Sequence, residues 1–270
     1  MIESGVIVEA PVSLTVNGQV WLTFMCTPSN LEALAVGFLF NEGVIRTRDE
    51  IALAQVCPQG DNVDVWLNRN VEPPRHWKRT SGCTGGATAV TADMTPPIGR
   101  QFPGLPRAGN CRPTRDGFVL TPDSISQLVE QLLGAQELYR QVGGVHTSVL
   151  SDGERVIVSA EDIGRHNSLD KIAGICLLDR IELSRRILLT TGRLSSEMMQ
   201  KAAHIGASVV ISRTSPSALS IKMAQAWGVT LIGYARRDQF NVYTHPERIL
   251  QTPGEVCLVF PSKEVCRHDR

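Results

Sequence analysis

The chain has 270 residues, 42% of them hydrophobic, enough to bury the core of one large domain or of a small domain beside a medium one. Lys plus Arg and Asp plus Glu both number 27, so the net charge is zero and no whole-molecule field draws the chain to nucleic acid or an anionic membrane. The longest apolar run, Leu31 to Phe40, contains Glu32 and falls far short of the roughly 20 residues that cross a bilayer.

Residues 12–25 alternate apolar and polar side chains on both sides of Asn17-Gly18, with Val12, Leu14 and Val16 answered by Val20, Leu22 and Phe24. This predicts a β-hairpin with a type I′ turn. Thr27-Pro28 reads as a helix N-cap and first helical residue. Leu31, Leu34, Ala35, Phe38 and Leu39 then form an apolar helical stripe, and Gly43 suits the C-terminal stop. Gly60-Asp61-Asn62 marks a second hairpin. Strands, a helix and more strands in the first 70 or so residues suggest a small α+β domain.

Residues 72–117 hold Pro73, Pro74, Pro96, Pro97, Pro103, Pro106 and Pro113 among glycines, with little periodicity. They read as a long irregular connector, a kind of segment that is usually functional or mobile. From Thr121-Pro122-Asp123 a helix is expected to about Gln141, then strands near 146–150 and 155–160 and a helix over 167–178. A strand at 187–190, a helix at 195–204, a strand at 208–212, a helix at 216–227 and a strand at 229–235 follow. This alternation predicts a layered α/β domain with helices on both faces. The division expected is residues 1–115, an α+β domain with its connector, and 116–270, the α/β domain.

In an open α/β sheet, ligands bind at the carboxyl ends of the strands, where loops expose backbone N–H groups and helix N-termini. Three loops there are alike: Thr191 to Glu197, Arg213 to Ala218 and Tyr234 to Gln239. Each supplies arginine, Arg193, Arg213 and the Arg236-Arg237 pair, and the first two add hydroxyls, a chemistry suited to phosphate oxygens. Ser195, Ser196, Thr214 and Ser215 also suit plain N-caps, and the arginines a solvated surface. Three such loops in succession favour a binding edge. No dinucleotide fingerprint or P-loop motif is present.

The run Glu161 to Lys171 packs Glu161, Asp162, Arg165, His166, Asp170 and Lys171 around a helix start, which fits either a functional site or an ion-paired cap. His166 and His146 taken singly are more often structural, and with no C-x-x-C or H-x-E beside them no metal is expected. The cysteines, at 26, 57, 83, 111, 176, 257 and 266, are odd in number and irregular in spacing, which fits a reducing compartment. With an opening Met-Ile-Glu-Ser-Gly that lacks a positive n-region, this leads to the expectation of a cytoplasmic protein. Cys83 lies in Arg79-Thr-Ser-Gly-Cys-Thr-Gly-Gly86, after Lys78 and among glycines; backbone amides and nearby cations there favour thiolate, the form that attacks. Cys111 is its competitor.

Taken together, residues 9–18, 31–45, 143–148, 161–171, 191–203 and 233–244 resemble the formate dehydrogenase accessory sulfurtransferase family, FdhD, with Gly164-Arg-His-Asn167 and the following Asp170-Lys171 as the most specific run. The resemblance implies a cytidine-deaminase-like layered α/β domain without the deaminase metal, beside a smaller N-terminal domain. It implies a sulfur carrier that takes persulfide sulfur from a cysteine desulfurase. The sulfur passes to the molybdenum (or tungsten) bis(molybdopterin guanine dinucleotide) cofactor, bound as substrate, before that cofactor enters formate dehydrogenase. The catalytic residue is then Cys83. The cofactor-contacting run maps onto Tyr234, Ala235, Arg236, Arg237, Asp238 and Gln239, while Arg193 and Arg213 rest on the loop argument alone. Many members carry Cys-Gly-x-Cys-Gly where this chain has Cys83-Thr84-Gly85-Gly86, so transfer through one sulfur remains possible and an internal disulfide there does not.

Two other readings compete: a nucleotide- or cofactor-binding chaperone without sulfur transfer, and a nucleoside-modifying hydrolase suggested by fold alone. Neither nucleic acid nor membrane is expected as a partner, and homodimerisation stays open.

Overall fold

The computed structural model describes residues 2–3, 5–73, 77–79, 87–89, 118–182, 185–237, 239–250 and 258–259. After a short ribbon of β1 (Ile2–Glu3) and β2 (Val6–Ile7), β3 (Ala10–Val16) and β4 (Gln19–Cys26) form the expected hairpin. Asn17 and Gly18 both have positive φ, 48° and 80°, as a type I′ turn requires. A second hairpin joins β5 (Ile51–Val56) to β6 (Asn62–Leu67), and β6 pairs parallel with β3, giving the order β4-β3-β6-β5. The inner faces of these strands, including Val12, Leu14, Phe24, Val63 and Val65, are buried in one core with α1 (Leu31–Asn41). Every residue of α1 except Glu32 is buried, the mark of a helix enclosed on all sides.

The start of α1 differs from expectation. Asn30 is its N-cap, in the left-handed region at φ 49° and with no side-chain cap. Thr27 is fully buried upstream, because its groups are taken by the distant β10–α4 junction described below. The C-terminal stop falls where expected: Gly43 and Val44 donate to the carbonyls of Phe40 and Leu39 at 2.9 and 2.8 Å.

Within the expected connector, β7 (Trp77–Arg79) and β8 (Ala87–Ala89) pair antiparallel, strands too short to register as a periodic pattern. Both Cys83 and the expected boundary at 115/116 lie outside the described residues.

Thr121 caps α2 (Pro122–Gly134) in a reciprocal box with Ser124. The single helix expected to Gln141 is two, with α3 (Glu137–Val142) restarting after a break at Ala135-Gln136. A tertiary acceptor explains the restart: the Glu161 carboxylate takes the N–H groups of Leu138 and Tyr139 at 2.6 and 3.2 Å.

The rest is a seven-stranded sheet of β9 (His146–Ser151), β10 (Val156–Asp162), β11 (Ile187–Thr190), β12 (Val209–Ser212), β13 (Thr230–Gly233), β14 (Asn241–Val242) and β15 (Leu258–Val259), in the order β10-β9-β11-β12-β13-β14-β15. Strands β11, β12 and β13 are parallel and β9 runs against both its neighbours. Ile187, Leu189, Val209, Ile211 and Ile232 share a core with α2 on one face. Leu188, Val210 and Leu231 pack on the other against α4 (Arg165–Leu178), α5 (Ser196–His204) and α6 (Ala218–Trp227). Helices therefore cover both faces, as the alternating pattern predicts.

Helix α1 packs directly on α4, and the two backbones approach at a pair of glycines. A Cβ on Gly37 would stand 1.7 Å from the Asp170 carbonyl oxygen, and one on Gly174 1.8 Å from that of Ala33. No rotamer relieves a clash with backbone, so Gly37→Ala or Gly174→Ala should cost about 3 kcal/mol or more, at the upper end of overpacking penalties. Gly134→Ala, whose added methyl meets open space at the end of α2, should instead be neutral or stabilising by up to about 1 kcal/mol. Urea unfolding of the three variants checks the contrast.

Candidate functional site at the carboxyl edge of the sheet

Strand register decides which residues meet. Thr190 lies opposite both Ser148 and Ser212, Asp162 opposite His146, and Gly233 follows the Ile211–Ile232 pair. The carboxyl ends of β10, β11, β12 and β13 and the start of β9 therefore share one edge. The three arginine-bearing loops emerge there and are bonded to one another. Leu194 N–H donates to Ser215 O (3.1 Å), Arg213 N–H to Thr190 O (3.1 Å) and Tyr234 N–H to Thr214 O (3.0 Å). Ser212 Oγ donates to Gly192 O (2.8 Å) and accepts from Thr214 N–H (3.0 Å), so these loops form one scaffold.

Part of the hydroxyl chemistry is structural. Ser195 caps α5 through Met198 N–H, while α6 is capped by Ser217 and not by Thr214 or Ser215. The arginines divide as well. Arg193, Arg213 and Arg236, one from each loop, are exposed and make no ion pair among the described residues. Arg237 turns to Glu130 on α2, with Nε 3.2 Å from Oε1. Ala235 is buried in the α2-side core, leaving only its backbone for a ligand, while Tyr234 and Gln239 are exposed and Asp238 lies outside the described residues. Tyr234 has φ 51° and Arg236 N–H donates to Gln239 O (2.8 Å), which closes this loop into a tight turn.

Two histidines join this edge, a juxtaposition that neither ring reveals in sequence. His146 opens β9, its Nδ1 3.5 Å from Thr191 Oγ1. His166, in the first turn of α4 with 4% of its side chain exposed, places Nε2 3.2 Å from Oε2 of Glu197 on α5. Burial, then the charges of Arg165, His166 and Arg193, hold His146 below the ordinary histidine range against the pull of Asp162. Burial also lowers His166, outweighing Glu197, and the contact with His166 holds the Glu197 carboxyl low. Arg165 packs over Gly192, where a Cβ would stand 2.8 Å from its own. The signal available in sequence is positional: an antiparallel β9 beside β11 brings its first residue to the carboxyl edge.

The rest of the charged run is structural. Lys171 Nζ lies 2.6 Å from Asp162 Oδ2, both side chains fully buried, and donates to Thr27 O (3.0 Å), Ser29 Oγ (3.1 Å) and Glu161 O (3.1 Å). Asp162 also accepts from the N–H groups of Thr27 (3.1 Å) and Gly164 (2.8 Å) and from Asn167 Nδ2 (2.9 Å). Asp170 accepts from Lys201 Nζ (2.7 Å) and Asn41 Nδ2 (2.7 Å). Among the described residues no three His, Cys, Asp or Glu side chains gather to hold a metal ion. Cys26 and Cys176 are buried, their thiols pushed up to about 12 and about 11 chiefly by burial, and are inert fillers. Cys83 and Cys111 lie outside the described residues.

Residues 7–250 match the model of the FdhD/NarQ family. The chain is similar to the "Sulfur carrier protein FdhD" of Bacillus licheniformis, 36% identical over 243 residues that cover 89% of this chain and 88% of the relative. Its namesake in Staphylococcus aureus is 33% identical over 249 residues, 91% and 89% of the two chains. The crystal structure of a formate dehydrogenase accessory protein from Desulfotalea psychrophila superposes with a TM-score of 0.71 at 33% identity, covering 93% of this chain and 96% of that one.

Removing one member of a buried ion pair strands the other charge, at a cost of about 3–5 kcal/mol. Lys171→Met should therefore lower unfolding free energy by that amount, whereas removing the exposed partner of an exposed pair, as in Glu130→Gln, should change it by less than about 1 kcal/mol. Denaturant titration reads both.

Proposed function

The chain belongs to the FdhD/NarQ family, and from that premise we propose that it is a sulfur carrier whose Cys83 accepts sulfur from a cysteine desulfurase. The transfer is a thiol exchange: Cys83 thiolate attacks the outer sulfur of the desulfurase persulfide, a new S–S bond forms on Cys83, and the desulfurase cysteine leaves as thiolate. The S–S bond on Cys83 then breaks, Cys83 leaves as thiolate, and the sulfane sulfur passes to the molybdenum or tungsten bis(molybdopterin guanine dinucleotide) cofactor, the substrate, on whose sulfuration formate dehydrogenase activity depends. The observation that carries this reading is the convergence of three hydrogen-bonded loops at one sheet edge, each presenting an arginine without an ion pair among the described residues, in a chain matched to the family over residues 7–250. Such an edge suits the pyrophosphates of a dinucleotide. We further read the stack of α2, sheet and α4–α6 as the cytidine-deaminase-like layering of the α/β domain, working in the cytoplasm without a metal of its own.

Incubated with a desulfurase and cysteine, the protein should gain about 32 Da on Cys83, the mass of one persulfide sulfur. Cys83→Ala should abolish activation of formate dehydrogenase and Cys111→Ala should leave it intact. An intact protein that activates the dehydrogenase with no added mass favours a cofactor-binding chaperone. GDP should bind more tightly than guanosine, since only GDP presents phosphates. Loss of a charged hydrogen bond is worth about 1.5–3 kcal/mol, so Arg236→Ala should weaken GDP binding by roughly tenfold or more. Arg237→Ala should have a smaller effect, because its guanidinium is turned to Glu130. Calorimetry with both ligands checks the order.

A further inference from the structure

The start of β9 gathers positive and protonatable groups, and the carboxylates of Asp162 and Glu197 beside them are engaged by Lys171 and His166. His146 lies opposite Asp162 of β10 and beside Thr191, two residues before Arg193 on the β11–α5 loop, while Arg165 of α4 packs over the intervening Gly192; the charges of Arg165, His166 and Arg193 all reach its ring. Asp162 is bonded to Lys171, and Glu197 lies against His166, which also feels Lys201. Arg193 is exposed and has no ion pair among the described residues. His166 is more than nine-tenths buried and, among the described residues, has no hydrogen-bond partner at Nδ1. The Thr191 hydroxyl, 3.5 Å from His146 Nδ1, also accepts Thr147 N–H at 3.1 Å.

We propose that His146 and Arg193, backed by the charge of Arg165, form an oxyanion subsite that takes a phosphate group together with one proton, which His146 receives from solvent. The identity of the ligand as a phosphate of a guanine nucleotide rests on the function proposed above; the proton uptake rests on the cluster itself. Without an anion, burial first and then the neighbouring cations disfavour the imidazolium. An anion seated beside the ring offsets the repulsion from those cations, so the midpoint of His146 rises on binding. By linkage, affinity climbs as pH falls between the lower midpoint of the free protein and the higher one of the complex. Above that window His146 is neutral in both states and below it protonated in both, and its contribution to the pH dependence vanishes.

The test follows the histidine Cε1–H resonances of the intact protein against pH at constant ionic strength, with His146 assigned through His146→Asn. Titrations are run alone and with inorganic pyrophosphate, GDP or guanosine. Pyrophosphate and GDP should raise the His146 midpoint by about one pH unit, equivalent to roughly tenfold tighter anion binding by the protonated form. Guanosine should not, and Arg193→Ala should shrink the shift. GDP that binds while neither anion moves His146 overturns the subsite and leaves nucleotide binding standing. A shift with pyrophosphate but not GDP keeps the subsite and removes the nucleotide as its ligand. A midpoint indifferent to both anions, or moved equally by guanosine, overturns the subsite.

Discussion

The architecture turns on one buried ion pair. Lys171 and Asp162 have no access to solvent, and between them they bond to the backbone of Thr27, Glu161 and Gly164 and to the side chains of Ser29 and Asn167. A buried pair of this kind seldom adds net stability, because desolvating two charges offsets most of their attraction. Its value is geometric. Each partner comes from a different stretch of chain, so the pair ties the segment after β4, the end of β10 and the first turns of α4 together at one point. That arrangement also fixes where Arg165 and His166 project.

The second constraint is steric and reinforces the first. Gly37 and Gly174 let α1 and α4 touch backbone to backbone, and Asp170, on the same helix as Lys171, reaches Asn41 at the end of α1 and Lys201 on α5. One core of buried side chains runs from Val12 to Leu231. The N-terminal strands are thus packed, through α1, on the helix layer that also carries His166 and Glu197. A disturbance at the α1–α4 crossing would be felt at the carboxyl edge through α4, whose first turn forms part of that edge.

How much of this was legible in the sequence depends on the range of the interaction. Asn17-Gly18 specifies its hairpin because a type I′ turn needs positive φ at two adjacent residues, and Thr121-Pro122 specifies a helix start for equally local reasons. The loops after β11, β12 and β13 were readable because parallel strands bring their carboxyl ends to one edge. Thr27 misleads because Thr-Pro is locally a good helix start, and its partners, Asp162, Ile163 and Lys171, lie more than a hundred residues away. The break at Ala135-Gln136 depends on Glu161, whose carboxylate no local pattern announces. Arg236 and Arg237 are equivalent as letters and are separated only by the position of Glu130 on α2.

Zero net charge acquires a physical meaning once the pairs are placed. Asp162 and Asp170 are each bonded to a buried lysine, and Glu197 lies against His166. The acids of this region are spent holding the fold, while Arg193, Arg213 and Arg236 are left at the rim. A chain with no overall field thereby acquires a local positive edge, backed by apolar strands of low polarisability that screen it less than water would. The sign of the field at that edge is thus set by where these groups stand and not by total charge. The Asp162–Lys171 bond fixes the end of β10 and the first turn of α4, so two side chains that never meet solvent decide where Arg165 and His166 stand on that edge.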